Sequence, residues 1–243
     1  MITENQRLFF EAEGYLIVKN LLRLEEVNYY SKLYPSFLDN SIDASDYRSD
    51  LSGNMGREEK ITQIMVPSKL VPELLNRPFH QKSLKMAQEL LGMDMALDFD
   101  MLINKAPYTD TPTPWHQDAA YWINLPDKRA VSCWLAIDPA YKENGCMWYT
   151  PKSHQKPLLP HIQTGGKGAL QCKGSEKESV CVELDLGSCV FHHGGTLHYS
   201  RGNSTADNRR AFITNFRPRA MIRLEREQGI DHTGEREIKG LKK

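Results

Sequence analysis

Ala96-Leu97-Asp98-Phe99-Asp100-Met101-Leu102-Ile103-Asn104 decides the fold class. Leu97, Phe99, Met101 and Ile103 fall on one side of an extended chain, and Asp98, Asp100 and Asn104 on the other. That period of two is the signature of a strand with distinct faces. Further short strands follow at 130–138, 146–150 (stopped by Pro151), 180–186, 188–191 and 210–216, separated by Gly, Pro and Asn turns. Such a series indicates a sandwich or barrel.

Helical spacing is confined to the front of the chain. Thr3 and Gln6 form a candidate capping box for a helix carrying Leu8, Phe9 and Phe10, which Gly14 stops. A short strand is expected at 15–19. A second helix, about 24–34, sets Val27, Tyr30 and Leu33 at helical spacing and should end or kink at Pro35. The polar stretch 39–58 reads as a loop, either a lid or a plain surface excursion. A strand at 61–66 and a helix at 80–91, with Leu84, Met86, Leu90 and Leu91 as its buried stripe, complete this part. The expectation is a mainly β chain: a jelly roll braced on one face by N-terminal helices. We read one domain over 1–243, with helical and lid elements to about 92, the jelly-roll core over about 93–222, and a polar tail over 223–243. The charged tail after Arg223 reads as a solvated end or a frayed helix. The Gly-rich insert 164–178 lacks the GxxxxGK[ST] spacing of a phosphate loop. There are no internal repeats.

Composition excludes some classes. Of 243 residues, 40% are hydrophobic and 26% charged, and 31 Lys and Arg balance 31 Asp and Glu. Zero net charge argues against a nucleic-acid partner. No apolar run approaches the roughly 18 residues of a membrane span. The N-terminus carries no basic head followed by an apolar run, so no secretory signal is read. Five Cys without a CxxC pair fit a reduced, cytoplasmic setting.

The chemistry centres on Trp115-His116-Gln117-Asp118. In an extended chain, residues two apart point the same way, about 6–7 Å apart, so His116 and Asp118 can reach one ion. In a helix they would diverge, and Pro112 and Pro114 oppose a helix here. Alone, the pair reads better as a His hydrogen-bonded to a nearby Asp. His198, some eighty residues later, supplies a second imidazole. Two His and one carboxylate on one side of an ion form the facial triad of non-haem Fe(II) oxygenases. His192 and His193 are rivals, read as packing or as supports behind the ligands. His154 and His161 are read as surface or supporting groups. Arg209 opens the next strand eleven residues after His198, so a hairpin can return it beside the site. Its guanidinium fork matches a carboxylate. Arg210 alternates to the opposite face.

The ordered set resembles the phytanoyl-CoA dioxygenase family of Fe(II)- and 2-oxoglutarate-dependent oxygenases, which includes ectoine hydroxylase-like enzymes. The resemblance runs from Phe10 and Gly14-Tyr15-Leu16-Ile17-Val18, through Met101-Leu102-Ile103-Asn104-Lys105 and Trp115-His116-Gln117-Asp118. It continues through Trp134-Leu135-Ala136-Ile137-Asp138, Glu143-Asn144-Gly145-Cys146-Met147-Trp148 and Pro151-Lys152-Ser153-His154 to His198-Tyr199-Ser200, Asn203 and Arg209. It implies a double-stranded β-helix, with His116, Asp118 and His198 as iron ligands. Arg209, helped by Ser200, would hold the far carboxylate of 2-oxoglutarate. Met101 and Trp134 would line that pocket, and a polar residue near Gln63 would touch the cosubstrate. Oxygen is the third reactant, and succinate and CO2 are released. Halogenating relatives carry a small residue where this chain has Asp118, so hydroxylation of a C–H bond is implied rather than halogenation.

Two other readings share the fold. A cupin-like metal enzyme without 2-oxoglutarate is opposed by Arg209 with Ser200, and a catalytically silent jelly-roll binding protein by the complete triad. The substrate is a small molecule met by the loops 39–58, 108–114, 121–127 and 164–178. Lys105, Lys128 and Arg129 would suit an acyl-CoA at the mouth, or are simply solvated.

Overall fold

The computed structural model describes residues 1–53, 59–164 and 169–232. The helices are α1 (Glu4–Glu13), α2 (Leu24–Leu38), α3 (Pro67–Leu70), α4 (Pro78–Leu91) and α5 (Arg219–Glu227). The early strands are β1 (Tyr15–Val18), β2 (Arg48–Asp50), β3 (Ile61–Met65), β4 (Met95–Lys105), β5 (Thr113–His116) and β6 (Val131–Ala136). After them come β7 (Met147–Tyr149), β8 (Ile162–Gln163), β9 (Leu170–Gln171) and β10 (Val180–Val182), then β11 (Cys189–His193), β12 (His198–Ser200) and β13 (Arg209–Pro218). A large sheet has the order β1-β11-β6-β13-β4-β3-β2 and a smaller one β10-β7-β12-β5. Their pairings are antiparallel, and β8–β9 form a separate ribbon. This is the expected mainly β jelly roll.

The alternation along β13 builds two cores. Ala211 and Ile213 face the smaller sheet, in a cluster with Trp134, Tyr149 and Val190. Phe212 and Phe216 face the helices, clustered with Tyr30, Phe79 and Leu102. Phe212 meets the rings of Tyr30 at 5.9 Å and Phe79 at 5.4 Å. A side chain of this size contributes about 1.5–3 kcal/mol when fully buried. The large sheet is therefore apolar on both faces, and the helices brace one of them.

The front of the chain follows its local signals with two exceptions. The Thr3–Gln6 capping box forms, and Gly14 closes α1 at φ +82°. The helix α2 does not end at Pro35 but runs on to Leu38. Proline supplies no N–H to the carbonyl four residues back. That carbonyl, Ser31 O, instead accepts from Arg210 Nη1 at 3.2 Å. The 39–58 loop is also partly ordered into a strand: β2 pairs with β3, and Arg48 holds Glu59 and the carbonyls of Phe37 and Leu38. Residues 54–58 lie outside the described residues.

The large sheet also takes β1, β2 and β3, all before residue 93. Strand edges expose unpaired N–H and C=O groups, and these strands cover the edges of β11 and β4. At the other end, α5 is not a solvated tail. Met221 and Glu225 are buried in it. Residues 233–243 lie outside the described residues, as does the 165–168 part of the Gly-rich insert. Among the described residues no helix is long and apolar enough to cross a membrane.

Candidate metal centre

His116 ends β5 and His198 opens β12, and the two face each other in register across the smaller sheet. Asp118 follows in a short 3-10 turn. Each imidazole has Nδ1 at 2.8 Å from the carbonyl two residues before it, Pro114 O for His116 and Thr196 O for His198. A proton on Nδ1 makes both hydrogen bonds and leaves the Nε2 lone pair free for a metal. Both Nε2 atoms lie 3.6 Å from the same oxygen, Asp118 Oδ1. The three ligand atoms lie within 4.8 Å of one another. Burial holds both imidazoles below their ordinary pKa, outweighing the pull of Asp118, so they are neutral.

The other carboxylate oxygen is held from behind. Ser132 Oγ donates to Asp118 Oδ2 at 3.0 Å, and His192 Nε2 donates to it at 3.1 Å. The His192 Nδ1 in turn lies 3.4 Å from the Tyr149 hydroxyl. Burial alone would raise the Asp118 pKa. The neighbouring imidazoles and the His192 hydrogen bond outweigh it and hold the group well below the carboxylate range. Asp118 is thus a fixed carboxylate with one oxygen aimed at two imidazoles. His192 stands behind the ligand set, and His193 accepts from Gly195 N instead.

Arg209 opens β13 opposite Lys105 and is only 1% exposed. Its guanidinium lies 5.2 Å from the centre of the Trp134 ring. The Nε and Nη1 atoms have no hydrogen-bond partner among the described residues, and neither has Ser200 Oγ. Burial pulls the guanidinium from 12.5 down to about 10. A buried cation with unmet donors is costly unless an anion meets it. Arg209, Ser200, Trp134, Met101 and Gln63 line the same cavity as the triad. Gln63 Nε2 lies 3.1 Å from Met101 Sδ. The donor set therefore fits a dicarboxylate that reaches from the guanidinium to the metal. Arg210 points the other way, to Asp138.

Beyond the triad the cavity is walled by Leu51, Phe99, Tyr121, Trp122, Ala169 and Ile230. Lys105 is not at its mouth. The side chain is fully buried, and its ammonium donates to Thr111 O at 3.0 Å and Arg201 O at 2.5 Å. Arg129 is engaged by Asp94 and Asp127, and Lys128 is exposed. Sequence reasoning missed Ser132, whose role depends on a neighbour in another strand. It also missed the wall made by Glu225, Ile230 and His232 at the chain's charged end. No sequence periodicity marks that wall.

A family model described as phytanoyl-CoA dioxygenase (PhyH) matches residues 10–211. A probable phytanoyl-CoA dioxygenase of Caenorhabditis elegans is 25% identical over 89% of this chain and 75% of its own length. The peroxisomal phytanoyl-CoA dioxygenase of Homo sapiens is 25% identical, over 89% of this chain and 68% of its own. Among solved structures, EvdO2 from Micromonospora carbonacea var. aurantiaca complexed with 2-oxoglutarate superposes with TM-score 0.78 at 29% identity, covering 89% of this chain and 91% of that one. The epimerase SnoN in complex with Fe3+, alpha ketoglutarate and nogalamycin RO shares the fold, with TM-score 0.69 at 23% identity, over 88% of this chain and 82% of that one. The chain belongs to the phytanoyl-CoA dioxygenase family and is an iron- and 2-oxoglutarate-dependent oxygenase.

Proposed function

We propose that this enzyme hydroxylates a C–H bond of a small molecule, with His116, Asp118 and His198 holding Fe(II). Arg209 and Ser200 bind the far carboxylate of 2-oxoglutarate, while Trp134, Met101 and Gln63 shape the pocket around it. The observation that carries the reading is the buried Arg209 guanidinium, with donors unmet, in the same cavity as the triad. A metal enzyme that did without a carboxylate cosubstrate would have no use for it.

When bound, iron with 2-oxoglutarate and O2 supplies the oxidising power, releasing succinate and CO2. The chain supplies position and exclusion of water. Neutral His116 and His198 offer Nε2, and Asp118 offers Oδ1 while Ser132 and His192 keep Oδ2 occupied. Arg209 would hold the far carboxylate of the cosubstrate and so orient it within the cavity it shares with the triad. The Asp118 carboxylate takes the position a halide would need, which favours hydroxylation over halogenation. Leu51, Phe99 and Trp122 give the substrate side an apolar wall that keeps water from the reacting atoms.

The test is an anaerobic titration of metal-free protein with Fe(II) and then 2-oxoglutarate, followed by visible absorption. A charge-transfer band that needs both additions is expected, and it should be lost in Arg209→Ala and in His116→Ala. Iron binding with no band on adding 2-oxoglutarate would remove the cosubstrate assignment.

A further inference from the structure

Between the two ligands of β5 and its turn sits Gln117, whose side chain points away from His116 and Asp118. It is 1% exposed, and both polar atoms of its amide are hydrogen-bonded. Its Nε2 donates to Gly195 O at 2.7 Å, and its Oε1 accepts from Leu159 N at 2.9 Å. Its backbone N–H donates to His161 Nε2 at 3.1 Å. Gly195 lies in the turn that leads into β12 and His198. A single side chain thus ties the strand end that carries His116 and Asp118 to the turn that carries His198. A backbone bond, Ala119 N to Gly194 O at 2.8 Å, reinforces the tie.

His161 is 6% exposed, and its Nδ1 lies 2.7 Å from Leu159 O. A proton on Nδ1 satisfies that bond and leaves Nε2 as an acceptor, which is what the Gln117 amide requires. Burial favours this neutral form. The segment 159–161 therefore grips the residue between the ligands at two points, and it reaches them from a loop far from β5 in sequence.

We propose that His161 and Gln117 are positioning residues of the iron centre, holding the His116–Asp118 strand end at a fixed distance from the His198 strand. This rests on the iron reading above. Partners that orient metal ligands typically account for about 10–100-fold in metal affinity.

The experiment compares wild type, His161→Phe and His161→Gln by Fe(II) titration without oxygen, with the 2-oxoglutarate charge-transfer band as a second readout. Gln places an acceptor oxygen near the position of Nε2, whereas Phe fills the space without one. The expected result is about tenfold or greater weakening of Fe(II) binding and a displaced band in His161→Phe, with most of both restored in His161→Gln. Wild-type affinity and an unchanged band in His161→Phe would overturn the positioning role alone. Equal weakening in Phe and Gln would overturn it too, since a generally loosened fold would then explain the loss. A wild-type protein that shows no iron-dependent band overturns the iron reading itself, and this proposal with it.

Discussion

Two clusters of three metal-type ligands stand in the described residues, and both reach the same cavity. One is His116, Asp118 and His198; the other is Asp98, Glu225 and His232, and each has its ligand atoms within 4.8 Å. They differ in what surrounds them. Among the described residues no guanidinium pairs with Asp118, whose Oδ1 faces two neutral imidazoles. Asp98 is paired with Arg217 and Arg226, and Glu225 with the same two. His232 Nε2 joins them, 2.9 Å from Glu225 Oε2 and 3.3 Å from Asp98 Oδ2. Converging ligands alone therefore do not make a metal site. Charge balance decides: the first cluster is left electron-rich for a cation, while the second already contains its cations and acts as a structural clasp. The clasp holds α5 and residues 229–232 against the cavity, with the His232 ring 4.6 Å from Phe99 and Arg217 under Trp122 at 5.1 Å.

The largest expected difference is in metal binding. Asp118→Ala should weaken Fe(II) affinity by at least about a hundredfold, while Glu225→Ala should leave it unchanged, as measured by anaerobic titration. A single metal per chain is expected. Loss of a second bound metal on removing Glu225 would erase the distinction between the clusters.

Stability should separate them in the other direction. Arg217→Met leaves Asp98 and Glu225 buried with too little positive charge. Breaking such a buried pair costs about 3–5 kcal/mol. Urea unfolding of the metal-free protein measures this, and a loss below about 1 kcal/mol would mean the clasp is not a stabilising unit.

The smallest effect is a dependence on pH. Burial alone would lower the His232 pKa, but its hydrogen bonds and ion pairs with Asp98 and Glu225 win and raise it. A raised folded pKa adds stability that is complete below about 6.5, the unfolded value, and is lost as pH rises through the folded value. The melting temperature of His232→Gln should therefore fall below wild type by more at pH 6 than at pH 9. His116 and His198 shift the other way, which keeps them neutral and ready for metal further into the acid range. An equal deficit at both pH values would show that His232 acts through packing on Phe99 alone.

Much of the candidate metal centre was legible because it is written locally. The two-residue spacing of His116 and Asp118 needs only an extended chain. The return of Arg209 needs only a hairpin after His198, and strand alternation separates Arg209 from Arg210. The supports were less legible. His192 reaches Asp118, and His161 reaches the Gln117 amide, only when strands or loops far apart in sequence are brought together. Lys105 illustrates the opposite error. Its charge read as a candidate for the cavity mouth, yet its place opposite Arg209 sends it inward to three carbonyls, those of Thr111, Ser200 and Arg201. The helix through Pro35 was hidden for a similar reason, since the partner for Ser31 O is Arg210.

By itself the sequence determined the period-two core, the helical brace, the residues of the candidate metal centre and a cation that the fold buries beside it. These depend on the character and spacing of neighbours along the chain. Tertiary structure alone decided which oxygen of Asp118 faces the imidazoles, which side chains hold Asp118 from behind, and that Glu225 and residues 229–232 wall the cavity. Those outcomes depend on burial and on pairing between distant segments. A buried charge has no meaning until the fold selects its counter-charge: Arg217 and Arg226 found theirs in Asp98 and Glu225, whereas Nε and Nη1 of Arg209 have no partner among the described residues.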